Sequence, residues 1–225
     1  PDAEKMSEWQ KRSKWTATAS LRNTSLMLSN IAHILNKKED EEYYFNFSNK
    51  VADAYESIFT DKKGKLHNEF QTGYVLPLQF NMFSEYNKKA AAYNLKKLVE
   101  KHNYCIGTGF PGTPYILFAL VDNGYVKEAY KMLENTICPS WLYEVKVGAT
   151  TIWERWDALD ENGECEIGDD GTGGMISFNH YASGSVGDFL YRRVAGIEPI
   201  ECGYKKFLIK PVLGGTLTYA KAETK

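Results

Sequence analysis

Apolar residues in the first quarter of the chain recur at the spacing of a single helix face. One such stretch covers residues 16–36, and another follows the polar break at residues 36–38. The apolar positions are Leu21, Leu28, Ile31 and Leu35 in the first stretch and Tyr44, Phe47, Val51, Tyr55 and Ile58 in the second. The pattern predicts two amphipathic helices joined by a short connection.

Two later stretches, residues 71–83 and 113–122, are apolar on all sides, which is typical of a buried helix. Pro77 lies inside the first of them and should kink that helix or mark its first turn. Residues 86–102 and 126–133 are amphipathic again. This alternation predicts inner and outer helices that follow one another in a helical shell. The sequence has no repeat of fixed period, so a solenoid is not indicated.

Strand-like segments occur near the end of the sequence. Residues 207–209 and 217–220 are apolar and flank Gly214 and Gly215, so they predict two short strands joined across a turn. Because two strands alone are not stable in water, we expect them to pack on the helices or to belong to a larger sheet.

Composition excludes several classes of partner. The 225 residues carry a net charge of −2, which offers no basic surface to nucleic acid or to an anionic membrane. The longest apolar run, residues 115–121, is too short to span a bilayer. The four cysteines are widely spaced and form no Cys-x-x-Cys pair. We therefore expect reduced thiols, and neither a metal ion nor another cofactor.

The sequence begins with a polar stretch, residues 1–5 (PDAEK), that lacks a methionine, and no signal peptide is evident. This start suggests a cut or processed piece. The compartment is left open by it, because the parent protein could be cytoplasmic, periplasmic or secreted.

Residues 153–157 (WERWD) place one carboxylate, that of Glu154, between two indoles and beside a cation and a second acid. Aromatic faces pack on the CH faces of sugar rings, and aromatic surroundings can tune a carboxylate for proton transfer. The stretch therefore indicates a glycosidase site. The alternative is an amphipathic turn whose tryptophans fill the core and whose Glu154 and Asp157 are solvated.

Two further segments have alternative interpretations. Residues 107–112 (GTGFPG) match the glycine spacing of a dinucleotide-binding loop, but Glu128, at the distance of the acidic partner, falls in a helical run and not at a strand end. We interpret residues 107–112 as a loop at the mouth of a helical barrel. Residues 169–174 (DDGTGG) lack the spacing of a calcium loop, and we interpret them as a mobile acidic loop of the kind that covers sites.

Residues 177–182 (SFNHYA) precede a helical stretch that runs to about residue 194, and Ser177 or Asn179 can cap it. His180 opens this helix, where the backbone N–H groups and the positive dipole end favour a neutral imidazole. Beside Asn179 and Tyr181, such an imidazole can donate to and accept from sugar hydroxyls. A purely structural role for His180 is the alternative.

Together these motifs resemble the catalytic domain of the bacterial α-L-rhamnosidases, a glycoside hydrolase family with an (α/α)6 barrel. The resemblance is carried, in order along the chain, by residues 108–114 (TGFPGTP), 139–143 (PSWLY), 148–156 (GATTIWERW) and 177–181 (SFNHY). Residues 203–211 (GYKKFLIKP) are similar to the entry to that family's C-terminal β-sandwich. The resemblance implies a mainly α fold in which about half of an (α/α)6 barrel, residues 1–197, precedes the first strands of a β-sandwich, residues 198–225.

The resemblance also implies an inverting glycosidase that releases terminal α-L-rhamnose from glycosides or polysaccharides. Glu154 matches the family's general base, and His180 matches a residue that contacts the bound rhamnose. In an inverting enzyme the base and the acid stand about 6.5–9.5 Å apart, which leaves room for a water molecule. The other residues expected to line the pocket or contact the substrate are Trp153, Trp156, Trp9 and Tyr181.

The sequence departs from the family in one respect. The family's general acid lies in an Asp-Glu-Arg…Gly-Trp run that is absent here, and about seven helical stretches replace the twelve of a full barrel. We therefore expect the C-terminal part of a catalytic domain, inactive by itself and self-associating through exposed apolar helix faces. The alternatives are a non-catalytic carbohydrate-binding fragment and a sugar epimerase or isomerase on a similar barrel, with His180 as the proton shuttle.

Overall fold

Helices dominate the described part of the chain. A computed structural model describes residues 3–165 and 176–224, with side chains from residue 10 onward, and divides the chain into two units, Pro1–Leu98 and Val99–Lys225. The helices are α1 (Ala3–Ile34), α2 (Lys38–Phe59), α3 (Gln71–Gln79), α4 (Glu85–Lys101), α5 (Ile116–Val121), α6 (Val126–Leu133), α7 (Trp141–Lys146), α8 (Tyr181–Gly184) and α9 (Val186–Phe189). A 3-10 turn at Thr113–Tyr115 precedes α5, a π-helical turn at Leu190–Val194 follows α9, and two strands close the order, β1 (Ile197–Pro199) and β2 (Phe207–Ile209).

The connection between α1 and α2 in the first unit is as short as the polar break predicts. Asn36 adopts a φ of 55°, a left-handed conformation that asparagine tolerates better than most residues. The Lys37 N–H donates to the Ala32 carbonyl at 2.9 Å, which closes the end of α1.

The buried face of α1 is not the one that the apolar spacing predicted. The side chains of Leu21, Leu28, Ile31 and Leu35 are exposed, while Ala19, Ser25, Ser29 and Ala32 are buried. Small residues allow two helices to pack closely, and the Ser29 hydroxyl donates to the Glu41 carbonyl of α2 at 2.9 Å. The apolar face of α1 is therefore open to solvent in this structure, while self-association through it stays a prediction.

The predicted inner helix of the first unit is α3, in which every residue from Gln71 to Leu78 is buried. Pro77 lies near its C-terminal end and has no N–H, so the Gly73 carbonyl four residues earlier lacks its helical donor. The buried Tyr55 hydroxyl of α2 donates to that carbonyl at 2.7 Å. A side chain of the neighbouring helix thus replaces the hydrogen bond that proline removes.

The strands at the end of the second unit differ from those predicted. β2 pairs antiparallel with β1, which brings Ile197 opposite Ile209, and residues 217–220 form no strand. The reason lies in the glycines between the expected strands, which pack on α6. A methyl group on Gly214 would stand 2.5 Å from the Tyr130 ring, and the Thr216 N–H donates to the Glu134 carboxylate at 2.7 Å.

The backbone just before residues 217–220 therefore bonds to the side chain of Glu134, the residue that follows α6, and residues 217–220 form no strand. The assignment of residues 198–225 to the start of a β-sandwich domain stays a prediction.

Within the described ranges, no helix has the length and hydropathy needed to cross a bilayer.

Replacing Tyr55 by phenylalanine should destabilise the first unit by about 1–2 kcal/mol, because the Gly73 carbonyl would then be buried without any donor. Urea unfolding monitored by circular dichroism measures this loss. Tyr86→Phe is the matched control, since Tyr86 is 75% exposed and its variant should stay within about 0.5 kcal/mol of the original chain. Equal stabilities for the two variants would contradict the role assigned to Tyr55.

Candidate active site

Helix α7 is the rigid element beneath the candidate site. It begins after Ser140, a fully buried residue whose hydroxyl oxygen accepts the Tyr143 N–H at 3.2 Å and so caps the first turn. The indole N–H of Trp141 donates to the Ser183 carbonyl of α8 at 2.9 Å. Through these buried contacts the PSWLY motif fixes α7 and ties it to the helix that His180 opens.

Two segments that are distant in sequence pair beside α7. The Glu154 N–H donates to the Ser177 carbonyl at 2.9 Å, and the His180 N–H donates to the Ile152 carbonyl at 2.8 Å. The Thr151 hydroxyl also donates to the Phe178 carbonyl. These bonds bring the WERWD motif and the SFNHY motif, predicted separately from the sequence, into one site.

The Glu154 side chain is half-buried and held in place by the same pairing. Its Oε2 atom accepts the Ser177 N–H at 3.1 Å, while its Oε1 atom has no donor among the described residues. Glu154 and Ser177 therefore exchange two hydrogen bonds, one through the backbone and one through the carboxylate. This arrangement orients the carboxylate and leaves one oxygen available to a water molecule.

His180 is itself the N-cap of α8, a role that the sequence prediction gave to Ser177 or Asn179. Its Nδ1 atom accepts the Ala182 N–H at 3.3 Å, so a neutral ring carries its hydrogen on Nε2. The Ser177 hydroxyl instead donates to the Asn179 carbonyl at 3.0 Å. The cap thus fixes the tautomer that presents an N–H donor at Nε2.

The His180 ring lies between two aromatic rings. The Phe110 ring is nearly parallel to it at a centroid distance of 4.3 Å, and the Tyr181 ring lies at 5.3 Å with an interplanar angle of 18°. Phe110 belongs to the glycine-rich stretch 107–112, which forms a loop before α5 and follows no strand. This placement agrees with a loop and not with a dinucleotide-binding turn, while the position of the loop at the mouth of a helical barrel stays a prediction. Tyr181 is 84% exposed, so its ring is open to a ligand.

The three tryptophans expected in the pocket wall have different positions. Trp153 is only 2% exposed and packs edge-on against Phe178 at 5.7 Å, so the structure places it in the core and not in an open wall. Its large apolar ring favours this burial, and the core-filling alternative holds for this residue. Trp156 is half-buried, edge-on to Trp141 at 5.6 Å, and remains a candidate wall residue. The side chain of Trp9 lies outside the described residues.

The other acids of the region have contrasting environments. Asp157 is exposed and forms a two-pronged ion pair with Arg155, with both nitrogen–oxygen distances at 3.1 Å. The hydrogen bonds from Arg155 hold the pKa of Asp157 below its usual value, so this acid stays ionised. The acidic stretch 169–174 lies outside the described residues. Within the described ranges, no group of three or more His, Cys, Asp or Glu side chains could hold a metal ion.

Glu144 of α7 is a buried acid that the sequence analysis did not single out. It is 1% exposed; its Oε2 atom accepts the Trp153 N–H at 3.2 Å, and its Oε1 atom has no partner among the described residues. Burial raises the pKa of Glu144 to about 7, against the opposing effect of the Trp153 N–H. It lines a mostly apolar pocket of about 390 Å³ with Trp141, Ile152 and Leu190.

One sequence signal could have identified Glu144. It lies three residues after Trp141 in a short helical stretch, so both side chains share one helix face. A tryptophan at that position indicates a buried face, and an acid on such a face is unusual.

The sequence profile of the bacterial alpha-L-rhamnosidase 6 hairpin glycosidase domain matches residues 2–194. Because this match covers well over half of the 225 residues, the chain belongs to that family of six-hairpin glycosidases. Its relatives include proteins named alpha-L-rhamnosidase from Streptomyces avermitilis and Formosa agariphila, each 37% identical to it over 92% and 91% of the chain.

Solved structures agree with the sequence comparison. The alpha-L-rhamnosidase of Aspergillus terreus superposes with a TM-score of 0.82 and 38% identity over 88% of this chain. The Streptomyces avermitilis alpha-L-rhamnosidase complexed with L-rhamnose gives 0.81 and 36% over 89%. The chain spans about a fifth of the length of these relatives, 19% and 22% of the two curated proteins and 22% and 19% of the two solved ones. These matches confirm the partial helical barrel.

The buried acid gives a pH dependence of stability. The folded chain retains a proton on Glu144 between pH 4.5 and about 7 that the unfolded chain releases. Its stabilising effect is complete below pH 4.5 and is lost as the pH rises towards 7, a loss of about 3 kcal/mol. Glu144→Gln should remove this part of the slope, which urea unfolding at pH 4.5 and 7.5 measures.

Glu161→Gln is the control for this measurement. Glu161 is an exposed acid that lies 3.3 Å from the Lys146 ammonium, and its variant should keep the original slope. If Glu144→Gln kept it too, the raised pKa of Glu144 would be refuted.

Proposed function

We propose that this chain supplies the general base and part of the sugar pocket of an enzyme that hydrolyses terminal α-L-rhamnosides with inversion. The observation that carries the proposal is the Glu154 carboxylate, which Ser177 orients through Oε2 while Oε1 keeps its lone pairs. A general base needs an oriented oxygen within reach of a water molecule. Membership of the six-hairpin glycosidase family supports this use of the carboxylate.

In the proposed reaction, a water molecule bound to Glu154 loses a proton to the carboxylate as its oxygen bonds to the anomeric carbon. The bond from that carbon to the leaving oxygen breaks on the opposite face, and a carboxylic acid protonates the leaving group. Water and glycoside thus give free sugar with inverted configuration and the aglycone alcohol. Glu154 then returns its proton to solvent, and the acid takes up a proton from solvent before the next cycle.

Neither neighbouring acid suits the protonating role. Asp157 is kept ionised by Arg155. Glu144 has a pKa near that of a general acid, but it is buried and its carboxylate is turned to the Trp153 N–H. We therefore assign the acid to a part of the protein other than residues 144–157, in line with the absence of the family's acid-bearing run from this sequence.

Sugar recognition in this proposal uses His180 and the aromatic rings around it. With Nδ1 occupied by the Ala182 N–H, the Nε2–H can donate to a sugar hydroxyl. Tyr181 presents an exposed ring to the CH groups and the methyl group of a 6-deoxy sugar, and Trp156 is the second candidate surface.

The rival functions fit the site less well. An epimerase that used His180 as a proton shuttle would have to remove a proton through Nε2, and the tautomer that does so would lose the Ala182 bond. In a purely carbohydrate-binding role the Glu154 carboxylate would only accept hydrogen bonds from sugar hydroxyls, which the amide oxygen of glutamine can also do. Binding without hydrolysis would therefore be insensitive to the loss of the Glu154 charge, so the next experiment separates it from catalysis.

Glu154→Gln should lower kcat for 4-nitrophenyl α-L-rhamnoside by about three orders of magnitude in the protein that carries this chain, because the amide cannot accept the proton of water. The KM should change by less than about threefold, since the amide oxygen can still accept the Ser177 N–H. Steady-state kinetics gives both values. Proton NMR of early product should show the β-anomer of rhamnose.

Glu161→Gln makes the same substitution at an exposed glutamate and should leave kcat and KM unaltered. Full activity in Glu154→Gln, or early release of the α-anomer, would defeat the proposal. Rhamnose binding without any turnover in the unaltered protein would favour the carbohydrate-binding role.

Tyr181→Ala should raise KM for the same rhamnoside by about fivefold to tenfold, which corresponds to the roughly 1 kcal/mol of a ring contact. Tyr181→Phe should behave like the original protein, because only the ring face is used. Tyr219 is also 84% exposed, so Tyr219→Ala is the matched control and should have no effect. An unchanged KM in Tyr181→Ala would remove this residue from the pocket.

A further inference from the structure

The backbone amides of Trp153 and Glu154 donate to acceptors in two different segments. The Trp153 N–H donates to Glu144 Oε2 at 3.2 Å, and the next amide, that of Glu154, donates to the Ser177 carbonyl at 2.9 Å. Fixing both amides fixes the φ and ψ of Trp153 between them. Those two angles set where the Cα atom of Glu154 lies, and with it the point from which the Glu154 side chain extends.

The position of Glu144 is costly for a residue that only fills space. Glu144 is 1% exposed, and its carboxyl group accepts one hydrogen bond and leaves Oε1 without a partner among the described residues, beside a mostly apolar pocket. Burial of a polar group with so few partners opposes folding, and an apolar side chain of similar size would avoid the penalty. Local conflicts of this kind are typical of functional sites, where positioning is favoured over stability.

Helix α7 is well suited to carry such a positioning group. Its first turn is capped by the buried Ser140, and Trp141 bonds to the Ser183 carbonyl on the helix that His180 opens. The Ala149 N–H also donates to the backbone carbonyl of Glu144 at 2.9 Å, which fixes the start of the loop that leads to Trp153. One short helix thus contacts both segments of the site.

We propose that Glu144 is a positioning residue that aims the Glu154 carboxylate by holding the Trp153 amide. This inference rests on the proposed role of Glu154 as the general base. Glu144 does not touch the substrate in this scheme, and its length matters more than its charge. A displacement of about 1 Å at a reacting group can cost up to a hundredfold in rate.

Two substitutions separate length from charge in the protein that carries this chain. Glu144→Gln keeps the length and an acceptor oxygen, so kcat should stay within about threefold of the original value. Glu144→Asp keeps the acid but is shorter by about 1.5 Å, so it cannot reach the amide and kcat should fall at least tenfold, with KM nearly unchanged. A purely structural role would lower the yield or stability of both without this kcat-specific difference.

Hydrogen exchange supplies a readout that does not depend on activity. In a peptide covering residues 151–155, measured by mass spectrometry, Glu144→Asp should accelerate exchange at least tenfold, whereas Glu144→Gln and the control Glu161→Gln should not. Equal kcat values for the aspartate and glutamine variants, or protection unchanged in Glu144→Asp, would overturn the positioning role.

The Glu154 and Glu144 variants together distinguish the proposed general base from the proposed positioning residue. If Glu154→Gln is fully active, the base assignment fails, and the exchange data alone decide whether Glu144 holds the Trp153 amide. If Glu154→Gln is inactive and Glu144→Asp is not, only the positioning role fails. Should Glu144→Asp fail to fold, Glu144→Gln still decides, because a tenfold loss of kcat in that variant would show that charge and not reach is required.

Discussion

Glu154 and Ser177 exchange a backbone hydrogen bond and a carboxylate hydrogen bond, and the rest of the site is arranged around this pair. The pair, with the bond from the His180 N–H to the Ile152 carbonyl, places an acid and an imidazole from separate motifs in one region. The segments around Glu154 and Ser177 are neither regular strands nor parts of a helix. Side-chain contacts with the neighbouring helices therefore help to maintain the conformation of these two segments. The geometry of the carboxylate thus depends on packing behind it, in particular on α7.

This packing explains why the two tryptophans of the WERWD motif differ. Trp153 is buried against Phe178, and its amide faces Glu144, so it serves as the anchor of the segment. Trp156 is half-buried against Trp141 and keeps part of its ring accessible. The apolar contacts of the buried Trp153 ring resist rotation of the segment, while the neighbouring Glu154 carboxylate remains partly exposed to solvent. The buried ring therefore helps to orient the acid without burying it.

Much of the helical order could be predicted from periodicity, and the family motifs singled out Glu154 and His180, whose segments the structure pairs through backbone hydrogen bonds. The failures have physical causes that periodicity does not carry. The apolar stripe of α1 is the face that periodicity predicts to be buried. In the structure α2 packs closely on α1, and the small residues Ser25 and Ser29 are buried instead. The expected strand at residues 217–220 has the right composition, yet the backbone just before it bonds to Tyr130 of α6 and to Glu134 at the end of α6, through the Val212 carbonyl and the Thr216 N–H. Hydrophobic periodicity describes one segment at a time. The buried face of α1 and the absence of a strand at residues 217–220 depend instead on the elements that pack against each segment.

Glu144 escaped the sequence analysis for a related reason, since burial of an acid is set by its neighbours and not by its own chemistry. The three acids within residues 144–157 consequently have different environments. Burial favours the protonated form of Glu144, and Arg155 favours the ionised form of Asp157. Glu154 differs from both in its contacts: it is half-buried, and its Oε2 atom accepts one backbone amide. A general base needs an oriented oxygen within reach of water, and Glu154 is the acid of this stretch whose geometry suits that proposed role.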